Sequence, residues 1–211
     1  PFAGDGSIVV VAALISAVVA ALTFVVSSFL HRRGETQFMP VWQTWISHLS
    51  FGALTIAFGG VTGLSVLVAG HLLGSGLPGL ELGAIGGGLV TGVAAALGGR
   101  LAFQAATDLS TADLAALLFT FLVVGTVFAM LTEAEPTWWE RNFSQLGIGD
   151  GAWAFNGTLV VAGLLVGTIG SYIGRDLHRL LDDAALPKIA AVVVIWALAG
   201  LALAAVGWFP L

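Results

Sequence analysis

The chain has 211 residues, of which 58% are hydrophobic and 9% charged, and its mean hydropathy is +1.01. A protein of this size cannot bury so much apolar surface in its own core, so lipid must be its solvent and a soluble globular protein is excluded. The net charge of −5 without a basic run argues against nucleic acid as a partner. The absence of cysteine excludes disulfides, thiolate metal sites and cysteine nucleophiles.

Six apolar stretches are each long enough to cross the roughly 30 Å of hydrocarbon in a bilayer, which takes about 20 residues of helix. In chain order they are residues 8–30, 51–73, 82–103, 112–131, 153–174 and 189–209. Because backbone groups in lipid must pair within the segment, each stretch is predicted to be helical. The first is too long for a signal-peptide core and its positive pair, Arg32 and Arg33, follows it, so we expect a retained helix with its N-terminus outside.

The distribution of Lys and Arg predicts the orientation, since cytoplasmic loops accumulate these residues. The first, third and fifth loops hold or adjoin six of the seven: Arg32, Arg33, Arg100, Arg175, Arg179 and Lys188. The second and fourth loops hold only Arg141. We therefore expect a multi-pass membrane protein with loops one, three and five inside and both termini outside.

Two segments of the chain, residues 42–70 and 139–167, align without a gap, which indicates a duplicated unit. The identical pairs are Trp42/Trp139, Ser47/Ser144, Leu49/Leu146, Gly52/Gly149, Ala57/Ala154, Phe58/Phe155, Gly60/Gly157, Leu67/Leu164 and Gly70/Gly167. Each half holds three spans, an odd number, so the second copy enters the membrane from the opposite side. The predicted fold is an all-α integral membrane protein, a single membrane domain of six transmembrane helices arranged as two inverted three-helix repeats, about 8–107 and 112–209.

Inverted repeats are common in transporters, but they also arise when a small helical bundle is duplicated. No Asp, Glu, Lys or His lies in the middle of any predicted span. Ion-coupled pumps and proton relays usually need such groups, so the pattern gives no support to coupled transport.

Small residues recur at every fourth position in several spans and predict close helix packing. They are Ala84, Gly88, Gly92 and Ala96 in the third span, Gly59 and Gly63 in the second, and Gly163 and Gly167 in the fifth. Packing within the chain is the expected use, and a dimer interface is the alternative.

The densest cluster of polar and aromatic residues lies in residues 137–163. This stretch resembles the six-span bacterial and archaeal family known only as domain-of-unknown-function family nine-nine-eight. The residues that carry the resemblance are Trp138, Trp139, Asn142, Ser144, Leu146, Gly147, Phe155 and Asn156. The layout is more distantly similar to the eukaryotic Frag1/DRAM/Sfk1 group, whose members are implied in lipid remodelling, autophagy and phospholipid asymmetry. The resemblance implies a fold and the plasma membrane of a prokaryote, but no mechanism.

Two interpretations of this cluster remain open. In a structural one, Trp138, Trp139 and Trp153 lie in the headgroup belt, Ser144 or Asp150 caps a short helix, and Asn156 pairs with a loop carbonyl. In a functional one, the loop is a lid over a cavity between the halves. Its candidate ligand-binding groups for a lipid headgroup or amphiphile are Trp138, Trp139, Glu140, Arg141, Asn142, Ser144 and Asn156.

Other polar residues give weaker indications. A hydrolase built on Ser144 lacks an exterior histidine in the same loop, so no catalytic residue is predicted. His31, His48 and His178 could gather at a metal or haem, but histidines at helix ends are more often interfacial anchors, and no metal or cofactor is predicted. Arg100 is expected to extend to the interface or bind Asp108, with contact to an anionic lipid as the alternative.

The first hypothesis for function is therefore a non-catalytic protein that binds or translocates a lipid or amphiphile, with membrane lipids as partners. The second is a structural or accessory subunit that binds another membrane protein or a second copy of itself. A membrane-embedded enzyme is third, because it would need two convergent titratable groups near one pocket.

Overall fold

The computed structural model describes residues 8–31, 41–77, 83–133, 137–140, 142–148, 151–181 and 183–209. This part of the chain is helical and contains no strand. The long helices are α1 (Ile8–His31), α2 (Val41–Gly76), α3 (Ala84–Ala105), α4 (Thr111–Thr132), α5 (Ala152–Leu180) and α6 (Leu186–Trp208). All six are long and apolar enough to cross a membrane, which confirms the predicted number of spans.

Two helices extend well beyond their predicted spans. The second helix begins at Val41 rather than at residue 51, and the fifth continues to Leu180 rather than ending at residue 174. The extra turns are rich in polar residues, including Gln43, His178 and Arg179. Hydropathy marks only the part of a helix that lies in hydrocarbon, so it does not detect these extensions.

The chain divides into two compact units. The first contains α1, α3 and the part of α2 from Thr55 onward. The second contains the start of α2 up to Leu54, α4 up to Ala129, and all of α5 and α6.

In the first unit, α1 packs against α3 through small residues. A Cβ added to Gly87 would lie 3.1 Å from the Ile8 side chain, and one added to Gly99 would lie 3.1 Å from that of Val19. Near the C-terminal ends of these parallel helices, the Ser27 hydroxyl donates to the carbonyl of Phe103 at 2.8 Å. This bond satisfies a buried polar side chain across the interface, as apolar surroundings require.

The predicted packing face of α3 is wrong by one residue position. Ala84, Gly88, Gly92 and Ala96 are exposed, and a Cβ added to Gly88 or Gly92 would meet nothing within 4 Å. The buried residues of α3 are Gly87, Ala95, Gly99 and Ala102. Both faces of α3 carry small residues at the spacing of a helix turn, so the spacing alone does not indicate which face is buried. The buried face is the one that packs against α1.

The glycine pair of α2 behaves as predicted. A Cβ on Gly59 would lie 3.1 Å from the Ala17 carbonyl oxygen, and one on Gly63 would lie 3.1 Å from the Ala17 side chain. These contacts confirm close packing of α2 on α1. Phe24 and Phe58 stack with ring centroids 4.9 Å apart in the same interface.

In the second unit, α5 is in contact with both α4 and α6. A Cβ added to Gly163 would strike the Gly200 carbonyl, and one added to Gly200 would lie 2.9 Å from the Gly167 backbone nitrogen. The predicted close packing within the chain is therefore confirmed at Gly163, whereas a Cβ on Gly167 would meet nothing within 4 Å. A Cβ added to Gly125 of α4 would strike the side chain of Thr158 on α5, so glycine at this position lets the two helices approach closely.

The start of α4 is defined by a capping box. The Asp113 backbone N–H donates to the Ser110 hydroxyl at 3.2 Å, and the Ser110 backbone N–H donates to the Asp113 carboxylate at 3.0 Å. These reciprocal bonds satisfy two donors that the first turn of a helix leaves unpaired. The next residue, Thr111, donates its hydroxyl to the Asp176 carboxylate at 2.7 Å and so links α4 to the end of α5.

Candidate functional site

The candidate site is the α4–α5 loop, which we define as residues 137–151. It contains two short 3₁₀ helices, Trp138–Glu140 and Phe143–Gly147, and we call the second one the loop helix. Two of the predicted site groups, Arg141 and the side chain of Trp138, lie outside the described part of the structure.

The loop helix lies against α5 and is joined to it by a side-chain hydrogen bond. Leu146 is fully buried, at 0% exposure, and the Asn156 side-chain amide donates to the Gly147 carbonyl at 3.1 Å. This bond confirms that Asn156 finds its partner in a loop carbonyl. A Cβ on Gly147 would lie 2.9 Å from the Asn156 amide oxygen, so the close approach depends on glycine at this position.

Asn142 and Ser144 form a local pair on the surface of the loop. Ser144 donates its hydroxyl to the Asn142 side-chain oxygen at 2.5 Å, and both residues are exposed. The prediction that Ser144 caps a short helix is wrong, since Asn142 holds the N-cap position of the loop helix and Ser144 lies within it. Asp150, the other predicted cap, lies outside the described residues.

Large apolar side chains are exposed beside these polar groups. Trp139 is 63% exposed, Trp153 at the start of α5 is 62% exposed, and Phe143 and Ile148 are also exposed. The Trp153 ring meets the edge of Phe128 at a centroid distance of 5.7 Å, which orients the indole. Indole and phenyl rings at a helix end are typical of the layer where lipid headgroups meet hydrocarbon.

The predicted site residues thus divide into two groups. Glu140, Asn142 and Ser144 are exposed beside Trp139, whereas Asn156 is part-buried and uses its amide to hold the loop. Among the described loop residues, Glu140 is the only acid or base. The exposed group offers hydrogen-bonding atoms and apolar surface. The cavity predicted between the halves remains a prediction.

The other predicted residues lie away from this loop in the sequence. Arg100 is exposed on α3, and within the described ranges it forms no ion pair with Asp108. His31 donates from Nδ1 to the Ser27 carbonyl at 2.8 Å and packs edge-on against Phe103. No three His, Cys, Asp or Glu side chains among the described residues stand close enough to hold a metal ion.

Sequence reasoning missed one arrangement at the other end of α5. In the sequence, Arg175 indicates only the orientation of the chain, whereas in the structure its guanidinium lies over the Tyr172 ring at 4.2 Å. The signal was available, because residues three apart on a helix are neighbours and arginine stacks on aromatic faces.

The six long helices have the length and composition of membrane spans, so the chain is a multi-pass α-helical membrane protein. Comparison with known protein families, curated proteins and solved structures finds no match to the chain.

Proposed function

We propose that the protein binds or translocates a lipid or another amphiphile without catalysing a reaction, and that the α4–α5 loop is its outer contact surface. The observation that carries this proposal is the division of roles within the loop. Asn156 holds the loop on α5 and Leu146 is buried, while the exposed side chains are those of Trp139, Phe143, Asn142 and Ser144. A preformed surface of aromatic rings beside polar groups suits a molecule with an apolar body and a polar head.

An enzyme is a weaker proposal. Hydrolysis at Ser144 would need a base within hydrogen-bond reach, and the hydroxyl instead donates to the Asn142 amide oxygen. An amide side chain does not accept a proton near neutral pH, so this pair orients Ser144 without activating it.

We further propose that the two units are inverted repeats in a prokaryotic plasma membrane, with the α4–α5 loop outside. The nine identical pairs and the assignment of three helices, wholly or mostly, to each unit support inversion. The bias of Lys and Arg supports the orientation. Membership of the domain-of-unknown-function family nine-nine-eight is also a proposal, resting on the loop residues from Trp138 to Asn156 that resemble it.

Native mass spectrometry of gently solubilised protein tests the lipid-binding proposal. We expect the wild-type protein to retain a lipid or amphiphile. The double variant Trp139→Ala/Asn142→Ala should retain about tenfold less, because it loses one aromatic contact and one hydrogen-bonding group. Trp208→Ala removes another exposed indole from the end of α6 and serves as the matched control.

Two results would contradict the proposal. One is retention by the double variant at the wild-type level. The other is an equal loss in Trp208→Ala, which would show that any exposed indole holds lipid and that the loop has no special role.

The second candidate function is that of an accessory subunit, and the exposed stripe of α3 favours it. Gly88 and Gly92 leave open space on a membrane helix, where small residues permit a second backbone to approach closely. We expect Gly88→Leu to abolish co-purification of a stoichiometric partner or second copy without unfolding the chain. Gly87→Leu, one residue away and facing Ile8, should instead destabilise the fold. An unchanged assembly in Gly88→Leu would exclude the stripe as its interface.

A further inference from the structure

A second polar site lies on α5 at the end away from the α4–α5 loop, and it is centred on Arg175. Its guanidinium carbon is 4.2 Å from the centre of the Tyr172 ring. Stacking on an aromatic face restricts the side chain to one plane and leaves its outer N–H groups at the ring's edge. Arg175 therefore presents an oriented cationic fork.

The length of α5 places this fork at a membrane surface. The helix has 29 residues and extends about 44 Å, whereas the hydrocarbon core is about 30 Å thick. Trp153 and Tyr172 are separated by about 28 Å along the helix, the spacing expected of two interfacial aromatic belts. Arg175 lies about one turn beyond Tyr172, at the depth of lipid phosphates.

Nothing in the described part of the chain neutralises Arg175. Its Nε atom is buried and has no hydrogen-bond acceptor, and no carboxylate forms an ion pair with the guanidinium. The adjacent Asp176 accepts the Thr111 hydroxyl on α4 instead. An enclosed donor without an acceptor costs free energy, and a charged one costs more. The side chain as a whole is only part-buried, so an external acceptor can reach it.

Phosphate is the ligand chemistry that matches this arrangement. A guanidinium donates two parallel hydrogen bonds to phosphate oxygens, and the exposed Arg179 adds a second positive charge four residues along the same helix face. We propose that Arg175, oriented by Tyr172 and assisted by Arg179, binds the phosphate of an anionic phospholipid in the adjoining leaflet. This site is independent of the amphiphile proposed at the α4–α5 loop.

The test uses the full chain, delipidated in detergent, and native mass spectrometry with phosphatidylglycerol or phosphatidylcholine as the probe. The wild-type protein should retain phosphatidylglycerol about tenfold better than phosphatidylcholine, as a charge-assisted contact implies. Arg175→Gln should remove this preference. Lys188→Gln, which removes an exposed positive charge from the first turn of α6, should leave it intact. The double variant Trp139→Ala/Asn142→Ala should also keep it, which separates this site from the loop.

Arg175→Lys provides a variant that keeps the charge at the interface but loses the planar fork, and it should show an intermediate preference. A third arm adds millimolar inorganic phosphate without lipid. If Arg175 binds inorganic phosphate but the protein shows no preference for phosphatidylglycerol, the ligand is free phosphate and not a phospholipid. An undiminished preference in Arg175→Gln and Arg175→Lys would overturn the site.

Discussion

At the scale of single residues, Asn156 has the clearest role. A carboxamide about one turn inside an apolar helix must find a partner, and that requirement alone predicted its bond to a loop carbonyl. The sequence could not predict that the carbonyl belongs to Gly147, because the choice depends on the path of the loop. Nor could it show that Ser144 pairs with Asn142 rather than capping the loop helix.

Replacing Asn156 should loosen the loop while leaving the six spans in place. Asn156→Ala removes the donor from the Gly147 carbonyl, and Gly147 is buried, so the cost should be about 1–3 kcal/mol. Hydrogen exchange at the backbone amides of Gln145 and Ile148 should become faster. Ser144→Ala removes a hydroxyl from the surface of the same loop and should change these rates little; equal acceleration in both variants would count against an anchoring role for Asn156.

Gly147 should tolerate a methyl group poorly. In Gly147→Ala, the new Cβ would lie 2.9 Å from the Asn156 amide oxygen, so the loop must shift or lose its hydrogen bond. We expect the free energy of unfolding to fall by about 1–3 kcal/mol, as measured by thermal unfolding in detergent. A Cβ on Gly157 meets nothing within 4 Å, so Gly157→Ala should be neutral or stabilise α5 by up to about 1 kcal/mol. The reverse order of stability would contradict this account.

At the scale of helices, hydropathy predicted which segments are helical better than which faces are buried. The six spans follow from length and apolar content, since lipid leaves the backbone no alternative to a helix. Packing faces are a weaker inference. The small-residue spacing selected the correct face on α2, and on α5 it did so at Gly163 but not at Gly167. On α3 two such faces lie side by side, and only Gly87 and Gly99 meet α1.

The glycines of α5 provide a test of the α5–α6 interface within one helix. A Cβ at Gly163 would strike the Gly200 carbonyl, whereas a Cβ at Gly167 would meet nothing within 4 Å. Gly163→Ala should therefore lower the unfolding temperature, by an amount corresponding to about 1–3 kcal/mol. Gly167→Ala should leave it unchanged or raise it slightly. Thermal scans in the same detergent give the comparison, and equal effects would show that the Gly200 contact does not limit packing.

At the scale of the whole molecule, the sequence repeat and the bias of Lys and Arg also predict which copy holds a site and which side of the membrane each aligned segment faces. The aligned residues that recur, such as Trp42/Trp139 and Ser47/Ser144, are those that shape a scaffold. Glu140 and Asn156 align instead with Gln43 and Gly59, which lack their chemistry. A site in the α4–α5 loop would therefore belong to one copy only. Arg175, at the far end of α5, also lies in the second copy.

Inversion of the two copies predicts opposite accessibility for the aligned serines. Since the chain has no cysteine, Ser47→Cys and Ser144→Cys each introduce a single reactive thiol, and the parent chain is the unlabelled control. A membrane-impermeant maleimide should label Ser144→Cys in intact cells, because the loop is proposed to lie outside and Ser144 is exposed. It should label Ser47→Cys only after the membrane is permeabilised. Labelling of both thiols from the same side would mean that the copies are not inverted, whatever their sequence similarity.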